Sequence, residues 1–215
     1  MVVTVDMKHL AAICFALWAR AFPVMSRTLN EDSVAATHEQ WITKFGRSYA
    51  NEAEKAKRFK IFMENLLYIE NFNNAGNQSY KMGSNKFSDL TNTGKCDRNK
   101  AAKHAAQITG YVVVKGEDQL LQAVAKQPVA IRVAAGDYFH QYEDGIFSGP
   151  CESELNHEVT VVGYGTSEDG TKYWLMKNSW GEDWGEKGYI RMKMNVGDEG
   201  LCGIATHASY PTINA

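Results

Sequence analysis

The sequence predicts an α+β chain in which a small helical module precedes an antiparallel, β-rich carboxyl-terminal half. Three observations carry the prediction. Residues 37–73 place apolar side chains at helical spacing behind capping signals. Residues 108–192 hold short apolar runs of strand length, punctuated by glycine and proline. Between two of those runs, residues 177–189 compress an amide (Asn178), two indoles (Trp180 and Trp184) and three glycines into thirteen positions, which reads as a strand, a tight turn and a returning strand.

Length and composition set the outer limits. The 215 residues are 44% hydrophobic with a formal charge of -2, enough for one large domain or two small ones, and the balance gives no footprint for nucleic acid. Apolar runs are too short to span a bilayer. The longest begins at Leu10, follows Lys8 and leads to the small-residue stretch ending at Ser26, the plan of a secretory signal over residues 1–26, with no membrane association after its removal.

Residues 37–46 open with Thr37-x-x-Gln40, set Trp41 and Phe45 four apart and stop at Gly46, which predicts a short capped helix. A longer helix is expected from Asn51, capping with Glu54 at its third position, to about residue 73. Along it Glu54, Arg58, Phe62, Asn65, Ile69 and Asn73 are spaced four, four, three, four and four, so all six share one stripe. A generic amphipathic helix would pack Phe59, Phe62, Met63, Leu66 and Ile69 in a core; two asparagines on the stripe call for a more specific partner. Gly83-x-Asn85-x-Phe87-x-Asp89 alternates as a strand with those four side chains on one face. Asn77-Gln78-Ser79 is an N-glycosylation acceptor motif. Downstream, strands are expected over 108–112 and 127–131 and a helix over 117–126, followed by strands over 157–165, 173–176 and 189–192.

Chemistry concentrates at two strand ends. His157 opens one strand and Asn178 closes its neighbour, so the Asn carbonyl can accept the Nδ1 proton and leave Nε2 as a base able to activate a thiol or hydroxyl. With the signal removed, Cys96, Cys151 and Cys202 remain, an odd number in a compartment where thiols pair, so one lacks a partner. Of the six histidines only His157 has an orienter, and no set has metal-ligand spacing; neither metal nor cofactor is expected.

Leu155-Asn156-His157, Val162-Gly163-Tyr164-Gly165 and Asn178-Ser179-Trp180-Gly181-x-x-Trp184-Gly185-x-x-Gly188-Tyr189 resemble the base and orienter segments of papain-like cysteine proteases. The E-x3-R-x3-F-x2-N-x3-I-x3-N stripe and the Gly83–Asp89 motif resemble the two signatures of that family's inhibitory propeptide. The resemblance implies His157 as general base, Asn178 as its orienter and Trp180 as the indole shielding their bond. It implies a Cys151–Cys202 disulfide with Cys96 unpaired, and a propeptide that blocks the cleft until acid loosens contacts of Glu54 and Asp89. Domains follow as 1–26 signal, 27–92 propeptide-like and 93–215 a partial peptidase domain. In the family, peptides and proteins are the substrates and the secretory pathway the location, extracellular or vacuolar/lysosomal.

Departures from the family pattern are as informative. After Asn92 the chain passes directly to Cys96, and the segment that carries the family's nucleophile and oxyanion glutamine has no counterpart. The expectation is a chain that keeps base and orienter yet does not hydrolyse peptides alone. An alternative is a propeptide-type inhibitor of mature papain-like proteases, and an exposed half-enzyme face or Cys96 offers a route to self-association. Arg132 and Glu158 stand where the family has small residues bordering a substrate subsite; they are expected either to pair and fill it or to face solvent. His207 matches another subsite position, against an ordinary partly exposed histidine.

Overall fold

The computed structural model describes residues 31–91 and 108–213. The signal expectation over 1–26 and the reading of Cys96 fall outside these residues. Two helices open the described chain, α1 (Glu31–Lys44) and α2 (Glu52–Asn74). Strand β1 (Tyr80–Met82) follows them, and after residue 108 come β2 (Gly110–Val114), α3 (Glu117–Val124), β3 (Val129–Val133), a one-turn α4 (Asp137–His140) and β4 (Tyr142–Phe147). Strands β5 (His157–Thr166), β6 (Lys172–Lys177), β7 (Tyr189–Lys193) and β8 (Ala208–Thr212) complete it. No described helix is long and apolar enough to cross a membrane.

Helix α2 begins where its cap places it: the Asn51 side chain accepts from the Glu54 amide at 2.9 Å, and Glu54 Oε2 accepts from the Ala50 amide at 2.9 Å, so two otherwise orphaned donors are satisfied reciprocally. Helix α1 corrects the capping box read at Thr37. It starts at Glu31, and the Thr37 hydroxyl donates back to Ser33 O at 2.9 Å inside the helix instead of capping its start. Its end is as expected: Gly46 takes φ +58° and Arg47 N donates to Ile42 O at 2.9 Å.

Residues 83–89 are a second correction. The strand stops at Met82 and the chain turns, because polar side chains capture its backbone locally. Asn85 Oδ1 accepts from Phe87 N, Ser88 Oγ accepts from Asn85 N, and Leu90 N donates to Phe87 O. The ladder of β3 likewise begins at Val129 and not at Gln127, since Pro128 has no amide to donate.

The described strands form one sheet in the order β1-β4-β7-β6-β5-β3-β8-β2, antiparallel throughout except for β4 beside β7. Its buried face gathers Val161, Trp174, Met176, Ile190 and Met192 with Phe139 and Phe147, closed on one side by α3. Glu117 of α3 accepts from Trp174 Nε1 at 2.8 Å, tying that helix to β6. A smaller core of Val34, Trp41 and Phe62 sits between α1 and α2. Because β1 pairs with β4, the sheet runs from the helical module into the β-rich half. Gly145 makes that junction feasible: its φ is +95°, and a Cβ there would lie 2.5 Å from Ser79 O.

Candidate functional site

His157 is the first residue of β5, and Asn178 follows the last residue of β6. Pairing between the two strands ends at Thr160 opposite Lys177, so three residues of β5 run on past the ladder and bring the imidazole beside the amide. His157 Nε2 lies 2.8 Å from Asn178 Oδ1, and Ser179 N donates to the same oxygen at 2.8 Å. Two approaching N–H groups fix the amide orientation, so the imidazole proton sits on Nε2 and the lone pair on Nδ1. This reverses the expected roles of the ring nitrogens. Nε2 is the nitrogen farther from Cα, and only it spans the gap between the strand ends.

Asn178 is buried, and its Nδ2 has no hydrogen-bond partner. Burial holds the His157 pKa below the ordinary histidine value, opposed by the Asn178 hydrogen bond and, more weakly, by Glu158. The imidazole is therefore mostly neutral near pH 7, the protonation state a general base requires. The Trp180 indole stacks on the ring at 4.6 Å between centroids with planes 28° apart.

His140, which the sequence reading passed over, also stacks on Trp180 at 4.6 Å. Its Nδ1 lies 2.8 Å from Gly136 O; burial lowers its pKa against that hydrogen bond, with a smaller lowering from the nearby His157. The only sequence signal was its place inside the aromatic run from Tyr138 to Tyr142. Asn156 was missed as a positioning group too: its amide clamps Ala135 N and O, both at 2.9 Å, immediately before the base.

The amino-terminal module reaches this site through the turn after β1. Phe87 meets Trp180 edge-on at 5.4 Å, and Asn85 Nδ2 donates to His140 O at 2.8 Å. Gly83 N donates to Gln141 O at 2.8 Å, and the space a Cβ would need at Gly83 is taken by the Glu143 carboxylate. The two stripe asparagines hold this segment by its backbone. Asn73 bonds both N and O of Met82, at 3.0 and 2.7 Å, and Asn65 donates to Ser88 O at 2.9 Å. Arg58 donates to Asp89 O at 3.2 Å, while the buried Asp89 carboxylate takes Arg47 at 2.8 Å and the Tyr49 hydroxyl at 3.0 Å. Phe62 and Ile69 are buried, and Glu54 stands 3.8 Å from Arg58. The stripe therefore divides by chemistry: apolar members pack, and amides grip the turn.

Arg132 and Glu158 face each other across β3 and β5 with 3.8 Å between charged atoms, 47% and 79% exposed, a solvated pair that contributes little. With His207 they line a cavity of about 580 Å³ whose apolar wall is Tyr111, Val113 and Ile131. Cys151 and Cys202 are disulfide-bonded with Cα atoms 5.1 Å apart. Asn77 lies in an exposed turn with φ +60°. Among the described residues no cluster of His, Cys, Asp or Glu could hold a metal ion.

Known proteins match this chain in two ways. The family model described as papain family cysteine protease matches residues 55–212. Cysteine endopeptidase RepA of Oryza sativa subsp. japonica is 54% identical over 123 residues, 55% of this chain, which spans 32% of RepA. Senescence-specific cysteine protease SAG39 of Oryza sativa subsp. indica is 29% identical over 316 aligned positions, covering 87% of this chain and 93% of SAG39. That alignment is longer than the 215-residue chain, so it steps across a long stretch of SAG39 that has no counterpart here. A solved recombinant stem bromelain precursor superposes with a TM-score of 0.75 at 27% identity, covering 85% of this chain and 100% of that one.

Proposed function

Since the chain belongs to the papain family of cysteine proteases, we propose that it carries the base side of a Cys–His–Asn endopeptidase site, covered by its own propeptide-like domain (residues 27–92) and lacking the nucleophile. His157 would take a thiol proton on Nδ1. Asn178 would hold the tautomer and stabilise the imidazolium, and Trp180 would keep water from their bond. The observation that carries this reading is the 2.8 Å contact between His157 Nε2 and Asn178 Oδ1 under the Trp180 ring.

In such sites a Cys thiolate attacks the peptide carbonyl after the imidazole takes its proton. Cys151 and Cys202 are bonded to each other, and the stretch of SAG39 skipped in the alignment fits the loss of the family's nucleophile segment. Removing the nucleophile from a comparable serine triad costs on the order of 10⁶ in rate, so His157 and Asn178 alone would not sustain turnover. The test is a fluorogenic peptide assay with the purified full chain. No turnover above buffer is expected; turnover abolished by a thiol alkylator overturns the reading.

A second reading is favoured by the module's hold on the Trp180 side of the site through Phe87, which meets the Trp180 ring, and Asn85, which donates to His140 O. As a propeptide-type inhibitor the chain would bind mature papain-like proteases in trans. Titrating an active plant papain-like enzyme with the chain decides it: dose-dependent inhibition supports the role, and undiminished activity removes it. The disulfide and the signal-like residues 1–26 support a secretory location, extracellular or vacuolar/lysosomal. The exposed Tyr111, Val112 and Val113 on β2, with Cys96, support self-association, which sedimentation across a concentration series would register.

A further inference from the structure

We propose that β2 is a docking edge for a second copy of this chain, the two β2 strands pairing antiparallel about Val112 so that one sheet runs through both molecules. The proposal rests on the reading that the chain self-associates, and adds the strand, the register and the groups that would join the copies.

The sheet of described strands ends in β1 on one side and β2 on the other. Strand β1 is three residues long with Lys81 at its centre, which makes it a blunted edge. Nothing blunts β2. Gly110–Val114 holds no charge, no proline and no bulge, and Tyr111, Val112 and Val113 are 68%, 40% and 54% exposed.

Strand β8 decides which backbone groups of β2 point outward. Arg132 N of β3 donates to His207 O at 3.1 Å, so by alternation Ala208, Tyr210 and Thr212 turn their backbone toward β2 and bond their ladder partners Val114, Val112 and Gly110. Pro211, opposite Tyr111, has no N–H to give, which agrees with that phase. Tyr111 and Val113 therefore aim their N–H and C=O groups at the open edge. The flanking amides are engaged elsewhere: Thr109 N donates to Thr212 O at 3.0 Å, and Lys115 N to Gln119 Oε1 at 3.2 Å.

Two open donors two residues apart fix the register. Only with Tyr111 of each copy opposite Val113 of the other are all of them used, in four N–H···O bonds. That register sets an aromatic side chain beside a β-branched one twice on one face and Val112 against Val112 on the other. Lys115 falls opposite Thr109, so no like charges meet.

On the Val112 face each copy holds a cavity of about 510 Å³ between β2 and α3, walled by Gln119, Gln122 and Ala123. A two-fold axis normal to the sheet brings both cavities to one side as a single groove. It also runs the two α3 helices antiparallel, so the acidic first turn of one, Glu117 and Asp118, faces the Lys126 end of the other, and charge favours that orientation. The contact is small beside a standard interface of about 1,600 Å², so the dimer should be weak and concentration-dependent.

Sedimentation and residue-resolved amide exchange on the full chain, from low micromolar to several hundred micromolar, test this in a Cys96→Ser background that keeps a cross-link from imitating pairing. Dimers should accumulate with concentration. The Tyr111 and Val113 amides, fast to exchange when dilute, should gain protection, while Val112 and Val114 are protected throughout. Val113→Pro removes one open donor per copy without touching the β8 ladder and should weaken dimerisation about tenfold or more. Val112→Lys sets two cations against each other on the axis and decides the matter should Val113→Pro not fold. Leu67→Lys, an equally apolar exposed site on α2, should leave dimerisation unchanged. Dimers that leave Tyr111 and Val113 unprotected, that survive the β2 variants, or that Leu67→Lys weakens as much, overturn strand pairing while self-association stands. A chain that is monomeric at every concentration refutes self-association and the pairing with it. Protection of both amides already in the dilute monomer would mean that the chain covers its own edge, and also overturns the pairing.

Discussion

Asn178 serves the imidazole with one end of its amide and leaves the other end idle. Its Oδ1 takes two N–H groups, and its buried Nδ2 takes none, so the residue holds the ring at the cost of an unsatisfied donor. Asn178→Ala strips the acceptor from a buried imidazole N–H but also removes the orphaned donor. The loss should fall at the lower end of the range for such deletions, about 1–3 kcal/mol in urea unfolding. Asn178→Asp keeps the acceptor and adds a negative charge, so the His157 midpoint in an NMR titration should rise relative to wild type. An unchanged or lower midpoint would show that the carboxylate does not meet the ring. The pair itself was legible in the sequence, because a His opening one apolar run and an Asn closing the next must lie near each other if the runs pair. Which ring nitrogen faces the amide was not legible, since that depends on how far β5 runs past the ladder. His140 was invisible for a similar reason: a single turn of helix has too few residues to show a periodicity.

The same contrast holds at the scale of the element. Asn51 and Thr37 carry equally good capping patterns, yet only Asn51 sits at a helix start. Asn51→Ala should cost about 1 kcal/mol, because a side-chain acceptor is withdrawn from the Glu54 amide. Thr37→Ala should change stability by less than about 0.5 kcal/mol, since its hydroxyl only back-bonds within an exposed helix and Ala has the better helix propensity. Urea midpoints of the two variants make the comparison, and equal losses would contradict the assigned ends of α1. The alternation at residues 83–89 misled because period two also arises in a turn whose alternate side chains Asn85, Phe87 and Asp89 are each held. The holders, the carbonyl of His140, the Trp180 ring and Arg47 with Tyr49, come from elsewhere in the chain. At the β1–β4 junction, Gly145→Ala would force a side chain at φ +95° against the Ser79 carbonyl. It should cost about 1–3 kcal/mol and expose β1 amides to exchange while β5 and β6 stay protected.

Across the whole molecule, the α+β plan could be read from the order of its patterns, but the joining of module and β-rich half in one sheet could not, because β1 and β4 are about sixty residues apart and share no motif. What spans the site half is the Cys151–Cys202 bond. The loop it closes, with a sequence separation of 51, contains all of β5, β6 and β7 and therefore both His157 and Asn178. Such a cross-link acts chiefly by restricting the unfolded chain, and for this loop the chain-entropy model gives about 4 kcal/mol. Replacing both cysteines by alanine should lower stability by up to that amount in urea unfolding. The native His157–Asn178 bond does not depend on the cross-link, since it is set by strand register and by the Ser179 amide. The His157 midpoint in the same double variant should therefore match wild type. A large loss of stability with an unmoved midpoint locates the disulfide's effect in the unfolded ensemble; a shifted midpoint would mean that the bond holds the site's geometry as well.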